Sequence, residues 1–143
     1  MSYEMYKRDA NNKSDWRLRL AAVEGLKDID DARAKDVLWR VMISDKVFQV
    51  KEAAFRALQA KGEDVKLPKK EKGNLIKGVN QKIKVLKNKL PENHTFEDFK
   101  TELKIRESVI YDTYQGDKGS SFDKGLENVW SIIRSSFKMR FTK

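Results

Sequence analysis

The stretches "RLRLAAVEGLKDID" at residues 17–30 and "QVKEAAFRALQAKG" at residues 49–62 share one pattern. Leu18, Arg19, Ala21, Ala22, Gly25 and Leu26 align with Val50, Lys51, Ala53, Ala54, Ala57 and Leu58 at an offset of 32 residues. Between the copies lies "DDARAKDVLWRVMISD" at 30–45, where Ala34, Leu38, Val41 and Met42 recur at helical spacing and Asp30 or Asp31 stands where a cap belongs. The pattern predicts helices at about 15–27, 31–44 and 46–61, the last ended by Gly62. Paired helices that recur every few dozen residues are the signature of an α-solenoid.

The alanines fit close stacking of antiparallel helices, because small side chains let backbones approach and Ala has the best helix propensity. With "DWRLRLAAVEGL" and "VFQVKEAAFRAL" in view, residues 15–62 resemble HEAT-like repeats of the short bacterial kind. The resemblance implies an inter-repeat ladder of Asp and Arg on Asp15, Arg19, Asp45 and Lys51, with Lys51 standing where Arg is usual. Two repeats need covering at their ends. Tyr3 and Tyr6, spaced for one helical face in "SYEMYKRDA", would cap the front, and the C-terminal half would dock on the back.

Beyond Gly62, "EDVKLPKKEKG" at 63–73 reads as a basic linker containing Pro68 and Gly73. The region 74–143 reads as a small helical region. Leu75, Val79, Ile83, Leu86 and Leu90 follow helical spacing up to Pro91, with Lys77 and Lys84 on the opposite face. Thr95 and Asp98 have the spacing of a capping box ahead of a helix that carries Phe96, Phe99 and Leu103 inward and continues, with a break near Lys104, to Gly116. Ser120 reads as the cap of a last helix with Phe122, Leu126, Val129, Trp130, Ile133 and Phe137 on one stripe. With no period-two alternation anywhere, the chain reads as all-α: a short HEAT-like solenoid, a basic linker, then helices.

The 143 residues suffice for a buried core, and 39% hydrophobic against 37% charged residues is too apolar for disorder throughout. No apolar run reaches the length of a membrane span and the N-terminus lacks a secretory core, so a cytoplasmic protein is expected. Zero cysteines remove thiolate metal sites and a cysteine nucleophile, and one histidine argues against a His-based metal site, so neither metal nor cofactor is expected.

The net charge of +9 is local. Residues 1–64 carry 13 basic and 12 acidic side chains, and residues 90–143 carry nine of each, whereas 66–89 hold nine lysines and one acid, Glu71. Lys66, Lys69, Lys70, Lys72, Lys77, Lys84 and Lys87 are therefore the candidate site for nucleic acid or another anion, since phosphate neutralisation supplies sequence-independent affinity. The segment lacks aromatics for stacking on bases and arginines for base-specific readout.

Other motifs have plainer readings. "GDKGSS" at 116–121 lacks the spacing of a phosphate loop and reads as a turn, "DIDD" at 28–31 as helix capping rather than a calcium loop, and His94 as an exposed turn residue. Trp130 reads as core, whereas Trp16 and Trp39 fit either core or edge packing or the concave face of the solenoid, and with Arg40 they are the candidate partner-binding residues. Bacterial DNA glycosylases for alkylated bases are also built from HEAT-like repeats, and Trp16, Trp39 and Asp36 resemble residues for such roles. Two repeats do not form a wrapped groove, however, and the basic charge lies outside them. The expected function is a module that binds another macromolecule, a protein first and DNA or RNA as the alternative, without catalysis.

Overall fold

The computed structural model describes residues 2–70 and 78–141, with side chains up to residue 132. The described residues are helical and contain no strand. The chain divides into two compact units, Met1–Leu75 and Ile76–Lys143.

In the first unit, α1 (Tyr3–Ala10) precedes three helices: α2 (Trp16–Lys27), α3 (Ala32–Ser44) and α4 (Phe48–Ala60). Each of α1 to α3 begins on a polar side chain that accepts from its first turn: Ser2 from the Met5 amide, Asp15 from Leu18 and Asp31 from Arg33. Gly62 follows α4 with φ of 85°, a left-handed conformation that favours glycine and turns the chain out of the helix. Leu26, Leu38, Leu58, Val23, Val47 and Val50 are fully enclosed in one core, and each such side chain contributes roughly 1.5–3 kcal/mol by leaving water.

One alanine of each repeated pair, Ala22 and Ala54, lies in that core, while Ala21 is exposed and Ala53 half-buried. Gly25 marks a closer approach: a Cβ there would run into the ring of Tyr6, so α1 lies directly on α2. Tyr3 and Tyr6 pack against the core as the spacing predicts.

The segment predicted as a linker begins attached to this unit. Lys61 Nζ donates to the Ile29 carbonyl at 2.7 Å, Lys35 pairs with Glu63 at 3.0 Å, and Val65 packs against the core. Gly73, Leu75 and the two lysines Lys72 and Lys77 lie outside the described residues.

The second unit contains α5 (Val79–Asn88), α6 (Phe96–Arg106), α7 (Ser108–Lys118) and α8 (Phe122–Phe141). Val79, Ile83 and Leu86 face its core beside Phe99, Leu103, Ile110, Phe122 and Leu126. The capping box is complete: Thr95 Oγ1 accepts from the Asp98 amide at 3.2 Å and Asp98 Oδ2 from the Thr95 amide at 3.0 Å. The break falls at Glu107 (φ −128°, ψ 58°), three residues beyond Lys104, and lets α7 turn so that Ile110 and Tyr111 reach the core. Helix α7 runs on past Gly116 to Lys118, and Ser120 sits in a single 3-10 turn, Gly119–Ser121, ahead of α8. The side chains of Ile133 and Phe137 lie outside the described residues.

Candidate functional site

Two outward-facing regions carry the residues nominated from the sequence. The first is α3. Its core stripe of Ala34, Val37, Leu38, Val41 and Met42 leaves Trp39, Arg40 and Ile43 outside, with Trp39 36% and Ile43 59% exposed. Arg40 Nη2 donates to Asn11 Oδ1 at 2.8 Å, which fixes the guanidinium between the end of α1 and α3. Ile43 was not among the sequence candidates. The signal was present, because an isoleucine one turn beyond Trp39 falls off the stripe that Leu38, Val41 and Met42 define.

Trp16 does not join this face. It is 8% exposed within the core cluster that includes Ala10, and the Arg17 guanidinium lies 4.8 Å from its ring centroid. As the first residue of α2, held at its start by the Asp15 cap, it is directed inward rather than toward a partner.

The second region is the lysine-rich segment. Lys66, Lys69 and Lys70 are exposed on non-helical backbone, and Lys84 on α5 is half-buried. Lys87 is 5% exposed and is taken up inside the second unit, where its ammonium donates to the Trp130 carbonyl at 2.6 Å and lies 4.9 Å from the indole centroid. It therefore presents no charge to a phosphate. Lys82 and Lys89, which were not nominated, are exposed instead. Together with Gln81, Val85, Leu86, Arg106 and Glu107 they line an open groove of about 280 Å³ between α5 and the α6–α7 junction.

His94 is not an exposed turn residue. It is 7% exposed, and the turn after Pro91 folds back so that Nδ1 lies 2.6 Å from the Pro91 carbonyl while Nε2 accepts from the Trp130 indole at 2.9 Å. With Nε2 accepting, the proton belongs on Nδ1, which donates to the carbonyl. Nε2 thus ties the turn to α8 while Nδ1 ties the ring to its own turn, and neither nitrogen faces a reacting group.

The remaining motifs are structural. Asp31 accepts from the Arg33 amide at 2.9 Å and from its guanidinium at 2.8 Å, and these bonds hold its carboxyl below the ordinary aspartate range. "DIDD" is thus a cap. In "GDKGSS", Gly116 is buried within α7 and Lys118 lies 3.8 Å from Asp117. Lys100 donates to Asp123 at 2.8 Å, and that bond raises its ammonium above the ordinary lysine range.

Among the described residues, no group of three or more His, Cys, Asp or Glu side chains is suited to a metal, and no helix is long and apolar enough to cross a membrane. No protein-family model, curated protein or solved structure matches the chain.

Proposed function

We propose that this chain is a small HEAT-like repeat module that binds another protein through the outer face of α3, in the cytosol and without catalysis. The observation that carries this reading is the exposed pair Trp39 and Ile43, one turn apart and beside Arg40. Tryptophan and arginine dominate the binding energy of protein interfaces, because a large rigid ring and a planar donor fork bury much area at small entropic cost. The likeness to HEAT repeats is supported by Arg19 of the first copy, whose guanidinium meets Asp45 just ahead of the second.

The test is affinity capture from the source cells with the full chain and with a Trp39→Ser/Ile43→Ser variant. Proteins retained by the wild type and lost by the variant are expected. Identical retention by the two would overturn the reading.

A second reading, sequence-independent binding of nucleic acid, is favoured by one observation. Lys66, Lys69, Lys70, Lys82, Lys84 and Lys89 have no ion-pair partner among the described residues. Its signature is an affinity for labelled oligonucleotides that falls by orders of magnitude between roughly 50 and 200 mM salt and drops again when Lys66, Lys69, Lys70 and Lys84 become Gln.

A further inference from the structure

The groove of the second unit combines features that the α3 face lacks. Lys82 on α5 and Lys89, which caps its C-terminus in near-helical conformation, are seven positions apart, so their Cα atoms are separated by about 10.5 Å along the helix axis. Val85 and Leu86 lie between them in the lining. Val85 is 44% exposed although the same helix already buries Val79, Ile83 and Leu86, so its apolar surface is surplus to the core. Across the groove stand Arg106, which bonds to Glu102 at 2.6 Å, and Glu107, the single carboxylate of the lining. Ile105 and Val109, 69% and 42% exposed, flank that junction in sequence.

This arrangement is an aliphatic floor bracketed by two cations two helical turns apart. We propose that it docks a helical segment of a partner protein bearing two acidic side chains about two turns apart with an apolar side chain between them. Charge complementarity selects the acids: Lys82 and Lys89 have no ion-pair partner among the described residues, whereas Arg106 is already paired with Glu102 and Glu107 is the one carboxylate of the lining. The floor selects a peptide over nucleic acid. A phosphate backbone makes no use of Val85 and Leu86, and the lining offers no aromatic ring for a base to stack on. Helix-in-groove recognition of this kind reads alternate anchors at one-turn spacing. The inference stands apart from the α3 reading, since it uses other residues in the other unit.

The experiment is selection of a displayed library of helical peptides on the full-length chain. Isolated peptides are then titrated against wild type, Lys82→Glu/Lys89→Glu and Val85→Asp. All three substitutions are at exposed positions, and far-UV circular dichroism checks that the helices persist. The expected result is enrichment of acid–apolar–acid sequences that bind each variant at least about tenfold more weakly, a difference of about 1.4 kcal/mol. Peptides with lysine in place of their acids should regain affinity for the charge-reversed variant. Three results would overturn the proposal: no enrichment, enriched peptides that lack the acidic pair, or equal binding to wild type and variants. An oligonucleotide that displaces the peptides and is equally sensitive to Val85→Asp would assign the groove to nucleic acid and overturn it as well.

Discussion

Arg19 and Asp45, twenty-six positions apart, form a two-pronged ion pair: Nε to Oδ2 at 2.8 Å and Nη2 to Oδ1 at 3.3 Å, with side chains 8% and 6% exposed. The same guanidinium donates to the Asn12 carbonyl at 2.8 Å, and Asp45 Oδ1 accepts from the Val47 amide at 2.9 Å. One buried hub therefore joins the α1–α2 loop, α2 and the α3–α4 turn. Breaking a buried pair from one side leaves an uncompensated charge, so Arg19→Ala or Asp45→Ala should each lower stability by about 3–5 kcal/mol. Arg19→Lys keeps the charge but loses the planar fork and should fall between. Urea unfolding measures the series, and losses under about 0.5 kcal/mol, the scale of an ordinary surface change, would contradict the hub.

Gly25 sits inside α2, where alanine would gain about 1 kcal/mol of helix propensity. The added methyl would meet the Tyr6 ring, and overpacking costs about 1–3 kcal/mol. Gly25→Ala should accordingly destabilise the wild type but stabilise a Tyr6→Ala background. That inversion of sign, read by thermal or urea unfolding, isolates the contact from the propensity. The same sign in both backgrounds would contradict it.

His94 should behave as a pin for Trp130. Replacing it with alanine removes the acceptor of the indole N–H and the edge contact between the rings, whose centroids are 5.8 Å apart. A loss of about 1–3 kcal/mol follows, accompanied by a change in indole fluorescence. Nitrogen-15 NMR of the imidazole should report the Nδ1–H tautomer in the native protein.

Asp31 provides a pH test. Its carboxyl is held below the ordinary aspartate range first by the side chain of Arg33, then by the Arg33 backbone N–H. A depressed carboxyl pKa contributes stability above the ordinary aspartate range, and that contribution is lost as the pH falls through the lower folded value. Carbon-13 NMR titration should show the Asp31 midpoint rising part of the way back in Arg33→Gln, because the backbone donor remains. An unchanged midpoint would rule out the guanidinium as the cause.

The helices of the first unit were legible because their caps, periodicity and terminal glycine are local signals: the α2, α3 and α4 boundaries lie within two residues of those predicted. The all-α class follows from the same periodicity. Burial of individual polar residues was not legible. His94 and Lys87 are drawn inward by Trp130, which lies 36 and 43 positions away, and no local pattern encodes that pairing. Trp16 was ambiguous for a related reason, since the first turn of a helix does not reveal which side a neighbouring helix will cover. The groove is not legible in the sequence because Lys82 and Lys89 become a bracket only once the α6–α7 break at Glu107 stands opposite them.

The central claim, recognition of a protein by the outer face of α3, is tested most directly by site-specific photo-crosslinking in the source cells. A benzophenone amino acid would replace Ile43, and in a second chain Glu24, which is exposed on α2. The account predicts a discrete protein adduct from position 43 that is absent from position 24 and disappears when Trp39 is changed to Ser. Equal adducts from both positions, or none from position 43, would contradict it.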